Sequence, residues 1–269
     1  MKQSIRIYSF YYKHTVIPVE NDLYHPVMAG NGLNATPSAM TGDDTGDSIS
    51  EKNPWFSELT GIYWVWKNTS QDVTGCCHYR RYFTAKKEPA VYQIKRWLYF
   101  PVRLYQKRYG LIYTRNINRF RKRMLNAQEI TEILKTYDAI LPQKRKLNYS
   151  VRKHYERYHH AEDLRIVEKI LEDYSPEYLP AYFQVMNGNR LFANNMFVMP
   201  QQHLDKFLSW WFTVLFAFEK QTDLKNYTGY QKRIAGFLGE RLLTVWFQHN
   251  QLKVMELPVI YFKKIKRRF

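Results

Sequence analysis

Cysteine is scarce in this sequence: the 269 residues include two, and these are adjacent, Cys76 and Cys77. Two neighbouring cysteines do not make a disulfide framework, and two thiolates are too few for a structural zinc site. We therefore expect a reducing compartment. Long apolar runs are also missing, since no stretch reaches the roughly 18 uncharged apolar residues that suggest a membrane-spanning helix. The sequence predicts a protein that is soluble or peripherally bound to a membrane.

Acidic residues are few beside basic ones: 24 against 41, which leaves a net charge of +17. An excess this large favours an anionic partner, and nucleic acid, an anionic lipid surface and a phosphate-bearing substrate all fit it. A hydrophobic content of 45% argues against overall disorder. The length suits one domain with a well-buried core, and we predict a single domain over 1–269.

Strand and helix patterns alternate along the chain and predict an α/β fold, a mixed sheet with helices on both faces. Polar side chains follow two of the strands, at 11–14 and 78–81. Because ligands of such sheets bind beyond the carboxyl ends of strands, these ends predict a ligand-binding edge. Strands are predicted at 5–10, 72–83, 137–142, 190–200 and 253–262, and helices at 54–68, 201–220 and 231–250.

The segment 86–123 does not fit this alternation. It holds twelve lysines and arginines against one glutamate, and its apolar residues approximate a helical stripe interrupted by Pro101. A basic amphipathic element of this kind is typical of binding to an anionic bilayer. The tail KKIKRRF, at 263–269, has a similar composition. We predict that both segments hold the protein at an anionic membrane surface.

Several blocks resemble a bacterial glycosyltransferase family long catalogued as a domain of unknown function. They are GDDTGDSISEKNPWFSELTGIYWVWKN, GCCHYRRYF, YDAILPQKR, HYERYHHAEDL, NNMFVMPQQHLDKF and GFLGERLLTVWF, in that order. Members of that family sit in capsule and O-antigen gene clusters, and some are galactofuranosyltransferases. The resemblance implies a GT-A-like nucleotide-sugar transferase fold, a cytoplasmic location and a polysaccharide acceptor. The insert at 92–123 is longer and more basic than the corresponding connection in the family.

Transfer from a nucleotide diphosphate sugar requires that the departing diphosphate be stabilised. Many GT-A enzymes hold a divalent metal there with an Asp-X-Asp motif, but the comparable strand end in this chain is His78-Tyr79-Arg80. We predict that His78, Arg80 and Arg81 bind the diphosphate directly through charge-assisted hydrogen bonds. The alternative is a solvated basic pair, or one paired with an acid such as Asp43. The preceding strand end predicts further donor contacts, from Tyr11 and His14.

The loop at 42–50 carries three acids, Asp43, Asp44 and Asp47, and Asn53 follows it. These residues are predicted donor-site residues, because carboxylates can bind sugar hydroxyls or hold a divalent metal such as Mn²⁺ or Mg²⁺. No cofactor is firmly predicted. Capping of the next helix and turn formation remain an alternative, since aspartate and asparagine are favoured in both positions for local reasons.

The candidate general base is Glu240, with Arg241 beside it to tune its charge or contact phosphate. Its place in the chain is similar to that of the acidic pair of processive inverting GT-A enzymes, although this sequence reads Gly-Glu-Arg. The alternative is a helix-start carboxylate paired with Arg241. Asp163 is the rival base. The acceptor-binding candidates are His160, Asn194 and Asn195; a metal at the adjacent histidines is disfavoured because neighbouring helical positions diverge.

These patterns together predict a nucleotide-sugar-dependent hexosyltransferase, peripheral on the inner face of the cell membrane. It would move a sugar from a UDP-sugar to a lipid-linked acceptor, inverting by direct displacement. The family resemblance implies galactofuranose as the candidate sugar and a polysaccharide, O-antigen or capsule acceptor. Two other classes stay open. A nucleic-acid-binding protein would explain the net charge and the Tyr/Arg content, but it would not explain the polar strand ends or the acidic loop. A non-catalytic membrane adaptor requires only the basic insert.

Overall fold

The computed structural model describes residues 3–12, 22–34, 40–99 and 110–263. It confirms the predicted α/β fold, a mixed and largely parallel sheet flanked by helices. The strands are β1 Ile5–Tyr11, β2 Tyr24–Met28, β3 Thr41–Gly42, β4 Val73–His78, β5 Arg81–Phe83, β6 Leu111–Thr114, β7 Ala139–Pro142, β8 Arg145–Lys146, β9 Arg190–Leu191, β10 Phe197–Pro200, β11 Val254–Leu257 and β12 Val259–Phe262. The helices are α1 Asn53–Phe56, α2 Leu59–Asn68, α3 Ala90–Tyr99, α4 Ile117–Arg121, α5 Ala127–Leu134, α6 Val151–Tyr158, α7 Glu162–Tyr174, α8 Leu179–Asn187, α9 Gln201–Gln221 and α10 Ile234–Asn250.

The sheet runs in the order β11-β7-β10-β4-β1-β2-β3, and β5, β12 and β6 extend it from β4. Strands β2, β1 and β4 are parallel, with Phe10 opposite His78 and Tyr11 opposite Met28. Their carboxyl ends therefore share one edge of the sheet, as the polar strand ends predicted. β8 and β9 form a separate two-stranded ribbon.

Both faces of the sheet are covered, and the side chains alternate between two hydrophobic clusters. Cys76 belongs to the larger cluster, which includes side chains from α2 and from α6 to α10, whereas Cys77 belongs to the cluster on α4 and α5. Such alternation follows from the two-residue period of a strand. Both cysteines are free and buried. No helix in the described part of the chain is both long and apolar enough to cross a membrane.

Three predicted elements are interrupted in the structure. The predicted helix at 54–68 is wrong at Ser57, where φ is 52° and the chain separates α1 from α2. The predicted strand at 72–83 turns back after His78, so that β5 lies antiparallel to β4. The predicted strand at 190–200 divides into β9 and β10 around Asn194 and Asn195, both left-handed at φ 81° and 47°. Each interruption brings a polar side chain to the sheet edge.

The basic insert is also more regular than the sequence predicted. Its helix α3 is present, but residues 111–114 form strand β6, which joins the main sheet by parallel pairing with β12. Tyr92 on α3 packs against Phe120 at 5.2 Å between ring centroids, so the start of the helix is attached to the core. Residues 100–109 and 264–269, which include much of the predicted membrane-binding segments, lie outside the described residues.

Candidate active site

A cleft of about 760 Å³ opens beside the carboxyl end of β4. Its walls come from the β4–β5 turn, the start of α2, the β8 and α6 region, the turn before β10 and the first half of α10. Residues that are distant in sequence thus meet on one surface. The structure brings five of the predicted site residues to it: His78, Arg81, Asn194, Glu240 and Arg241.

The turn at Asn194 and Asn195 connects the walls of this cleft. The backbone N–H of Asn194 donates to Glu240 Oε1 at 2.7 Å, and its carbonyl oxygen lies 2.6 Å from His78 Nε2. The Asn195 side chain donates to Glu58 Oε1 at 2.9 Å and to the Gly236 carbonyl at 3.0 Å. Asparagine tolerates the left-handed conformation that this double contact requires. The turn therefore fixes two carboxylates and one imidazole relative to each other.

Glu240 lies on the second turn of α10 rather than at its start, and its side chain is 25% exposed. Its Oε2 accepts a hydrogen bond from Arg241 Nη1 at 3.3 Å. The Arg241 side chain is buried, and burial lowers the pKa of its guanidinium, although the neighbouring Glu240 acts in the opposite direction. Glu240 is thus a positioned carboxylate that still reaches the cleft.

Glu58 is a second carboxylate in the cleft, and sequence reasoning missed it. Its side chain is 10% exposed, it accepts from Asn195, and its Oε2 lies 3.3 Å from Arg233 Nη2. Burial by itself raises the pKa of Glu58, but His78, Arg233 and Asn195 together lower it below the ordinary value. Glu58 is therefore held ionised by its partners, and a low pKa makes it a weaker proton acceptor than an unpaired glutamate.

His78 is a hydrogen-bond donor in this arrangement. Burial lowers the pKa of its imidazole, the nearby Glu58 opposes that effect, and Arg81 adds to it. Because the Asn194 carbonyl oxygen can only accept, the hydrogen must be on His78 Nε2. The lowered pKa reduces the positive charge that this imidazole offers a diphosphate, so the arginines are the main cations at this strand end.

The two arginines after β4 occupy different positions. Arg81 lines the cleft, and its buried Nε has no hydrogen-bond partner among the described residues. Arg80 lies against the rings of Tyr79 and Tyr261, at 5.2 and 5.0 Å. Tyr11 is buried behind this turn, with its hydroxyl 3.1 Å from that of Tyr82. His14 lies outside the described residues.

The acidic loop packs on the chain itself rather than lining the cleft. Asp43 is fully buried and accepts from the backbone N–H groups of Gly30 and Asn31 at 2.9 and 3.0 Å, as well as from Ser50. Asp44 accepts from the Asn31 side chain at 2.9 Å, and Asp47 accepts from the Tyr63 hydroxyl at 2.9 Å. These contacts organise the loop that follows β2.

Asn53 lies under this loop. Its side chain donates to the Ser57 carbonyl at 2.8 Å, stabilising the break between α1 and α2. Gly30 sits directly above it at φ 75°, and a Cβ there would lie 2.5 Å from Asn53 Cγ. Glycine is therefore required at this position both by conformation and by space.

Asp163 and His160 also lie outside the lining of the cleft. Asp163 is 1% exposed and accepts from the Tyr155 hydroxyl at 2.7 Å and from the Tyr227 hydroxyl. Burial raises the pKa of its carboxyl group, while these two hydroxyls oppose the shift. His160 is exposed, with its ring 5.2 Å from that of Tyr227. Asp163 is thus hydrogen-bonded to two tyrosines of the hydrophobic core.

Several cleft residues carried little signal in the sequence. Glu58 and Arg233 stood inside predicted helices, and Arg145 was one of several basic residues in a loop. A serine followed by glutamate within an aromatic helix gave no warning of a break at Ser57, whose side chain contacts Arg233 from a distant part of the chain. Glu58, Arg145 and His154 all lie within the blocks that carry the family resemblance, but nothing in those blocks distinguished them from their neighbours.

The carboxylates do not form a metal site of the Asp-X-Asp kind. Strand β4 ends in His78 at the cleft, Arg81 follows at the start of β5, and Asp43 has both oxygens occupied by backbone and hydroxyl donors. Within the described ranges, no three side chains of histidine, cysteine, aspartate or glutamate converge as metal ligands would. The residues present do not fit a metal at this strand end.

Comparison with known proteins places this cleft in context. The chain is 28% identical to a solved structure described as the WbbM bifunctional glycosyltransferase in its apo form, with a TM-score of 0.85. That similarity covers 97% of this chain and 46% of the other, so this chain spans about half the length of WbbM. No curated protein matches it significantly. The family model described as "Domain of unknown function (DUF4422)" matches residues 6–251, and the chain therefore belongs to the DUF4422 family.

Proposed function

We propose that this chain is a glycosyltransferase that moves a sugar from a UDP-sugar to a lipid-linked polysaccharide acceptor. The observation that carries the proposal is the cleft itself, in which Glu240 and Arg81 face the same space at the carboxyl end of β4. The similarity to the bifunctional glycosyltransferase WbbM supports it. Nucleic-acid binding would explain the net charge. It would not require a carboxylate held in position beside an arginine nitrogen that has no hydrogen-bond partner.

The proposed reaction is a single displacement with inversion. The acceptor hydroxyl oxygen attacks the anomeric carbon of the donor sugar, and the bond from that carbon to the β-phosphate oxygen breaks. Glu240 takes the hydroxyl proton, and UDP leaves with the bonding electron pair. Arg81 stabilises the charge that develops on the leaving diphosphate, because a guanidinium can bind two phosphate oxygens at once.

We assign the role of base to Glu240 rather than Glu58 because the two side chains differ in exposure and in their hydrogen-bond and ion-pair partners. Its side chain is 25% exposed, against 10% for Glu58. Glu58 is shared among Asn195, Arg233 and His78, and its pKa is lowered. A base has to reach the acceptor and keep affinity for a proton. Glu58 instead positions His78 and the Asn195 turn.

The donor proposed is UDP-galactofuranose, on the basis of the family resemblance. The test is incubation of the purified chain with UDP-galactofuranose, UDP-galactopyranose and UDP-glucose, while released UDP is measured without acceptor. We expect slow hydrolysis of UDP-galactofuranose alone, and UDP should raise the melting temperature. Stabilisation by an oligonucleotide but not by UDP would overturn the proposal in favour of a nucleic-acid-binding protein.

We also propose that α3 attaches the enzyme to the anionic inner face of the cell membrane. Val91, Ile94, Trp97 and Leu98 are at helical spacing and are 54%, 55%, 77% and 56% exposed. Lysines and arginines of the same insert flank these apolar positions along the sequence, and the insert has one acidic residue. An apolar helical face within a basic segment suits the interface of an anionic bilayer.

Binding to vesicles of anionic lipid is expected to fall steeply as salt rises, and binding to neutral vesicles should be weak. Each lysine or arginine near an anionic leaflet contributes about 1 kcal/mol, and salt screens that attraction. Trp97→Ser should weaken binding further, since it removes the most exposed apolar side chain of α3. Vesicle co-sedimentation at increasing salt measures both effects.

The matched control is Tyr174→Ser, which removes an aromatic side chain that is 60% exposed at the end of α7, outside the basic insert. This variant should bind vesicles as the unmodified protein does. Equal binding to neutral and anionic vesicles, or equal losses in the two variants, would contradict attachment through α3.

A further inference from the structure

Cationic side chains line the cleft in excess of acidic ones. Five lysines and arginines face it against two glutamates, and both glutamates already have cationic or N–H partners. Arg81 stands at the end of β4, whereas a second group comes from β8, α6 and α10. That second group, which we call the α10 cluster, consists of Arg145, His154 and Arg241. The donor diphosphate assigned to Arg81 leaves the α10 cluster unexplained.

Arg241 is the buried centre of this cluster. The residue is 3% exposed, its Nη1 donates to the Phe237 carbonyl at 2.8 Å, and its guanidinium lies 5.0 Å from the ring of Tyr155. Its Nε, also buried, has no hydrogen-bond partner among the described residues. A buried donor without a partner destabilises the protein in which it stays unsatisfied. A ligand oxygen in the cleft would satisfy it.

His154 has the same feature. Its Nδ1 is buried and has no partner within the described ranges, and the imidazole lines the cleft. Burial, followed by the charges of Arg241 and Arg145, lowers its pKa to about 4. Positive groups that repel one another around a cleft are stabilised when an anion binds between them.

Arg145 completes the cluster from the ribbon of β8 and β9. It is exposed and, among the described residues, forms no ion pair with an acid. Lys146 follows it on the cleft wall. A phosphate group has enough acceptor oxygens to bind a guanidinium fork, an imidazole and a second guanidinium together, whereas a carboxylate has two.

We propose that Arg145, His154 and Arg241 form a second anion subsite, which binds a phosphate group of the acceptor while the donor diphosphate occupies Arg81. The inference rests on the proposed function for its choice of ligand. Arg241 contacts Glu240, the proposed base, so a phosphate held there lies on the side of the cleft from which the acceptor hydroxyl approaches. The acceptor would then be recognised through the phosphate of its lipid carrier as well as through its sugar.

The test uses geranyl diphosphate, a short water-soluble isoprenoid diphosphate, titrated calorimetrically into the protein with UDP at saturation. We expect binding that UDP does not displace, and no heat from geraniol. Arg145→Gln should weaken binding of geranyl diphosphate at least tenfold while its UDP affinity stays within twofold. The change removes an exposed side chain, so the fold should be retained.

Arg190→Gln is the matched control, because Arg190 is exposed on β9 opposite Lys146 but does not line the cleft. It should change the affinity for geranyl diphosphate less than twofold. Equal losses of affinity for geranyl diphosphate in the two variants would overturn the subsite and indicate general charge attraction. Displacement of geranyl diphosphate by UDP would assign the α10 cluster to donor binding instead. If methyl glucuronide bound as tightly as geranyl diphosphate, the ligand of this subsite would be a carboxylate rather than a phosphate. Failure of UDP to bind would overturn the proposed function alone, since the titration without UDP still tests the α10 cluster.

Discussion

Replacing Glu240 by glutamine is expected to reduce sugar transfer about 100-fold or more while leaving UDP affinity unchanged. The reason is that the amide keeps the size of the side chain and loses the proton acceptor, and general base catalysis contributes roughly 10²–10⁴-fold. Glutamine oxygen can still accept from the Asn194 N–H, the 2.7 Å bond that positions the side chain. Initial rates of transfer, with UDP binding measured separately, check this prediction.

Two isosteric variants accompany it as controls. Asp163→Asn should mainly lower the melting temperature, because the buried carboxylate accepts from Tyr155 and Tyr227 and lies outside the cleft lining. Glu58→Gln tests the other carboxylate in the cleft. Loss of transfer in Asp163→Asn or Glu58→Gln, together with a nearly normal rate in Glu240→Gln, would assign the base to that residue instead.

The second large effect is expected for Arg81→Ala, which should weaken UDP binding roughly 10- to 150-fold. This range corresponds to the loss of one hydrogen-bonded charge, about 1.5–3 kcal/mol. Both guanidinium groups lie near the Tyr261 ring, but Arg81 lines the cleft with an unpartnered Nε, whereas Arg80 does not line it and also lies against the Tyr79 ring. Arg80→Ala should therefore have a smaller effect on UDP affinity. Calorimetric titration of UDP into each variant measures the difference.

Arg81→Lys separates charge from geometry. Lysine retains the charge but not the planar fork that binds two oxygens, and we expect an affinity between those of Arg81 and Arg81→Ala. Arg119→Ala, an exposed arginine on α4 that does not line the cleft, should bind UDP normally. If Arg81→Ala left the UDP affinity unchanged, Arg81 would not belong to the donor site. If Arg119→Ala lost as much UDP affinity as Arg81→Ala, the effect would be one of net charge alone.

The structure also narrows the alternatives that the sequence left open for individual residues. Asp43 was a candidate for sugar, metal or capping contacts, and its contacts are with Gly30, Asn31 and Ser50 of its own loop region. His78 was a candidate cation, but burial lowers the pKa of its imidazole and its Nε2 donates to the Asn194 carbonyl. These distinctions depend on burial and on partners far along the chain, which residue type alone does not determine.

The sequence by itself determined the α/β class, because strand and helix periodicities are local properties and the apolar residues of β1, β4, α9 and α10 follow them. It also indicated that polar groups after β1 and β4 share one edge, since parallel strands place their carboxyl ends together. Only the tertiary structure decided which polar side chains meet there. The left-handed turns at Ser57, Asn194 and Asn195 bring Glu58, Glu240 and His78 together, and contacts with these three distant residues stabilise the backbone conformation at Asn194 and Asn195. Strand pairing likewise placed residues 111–114 of the basic insert in the sheet, because a short apolar stretch becomes a strand where a neighbouring edge offers hydrogen-bond partners.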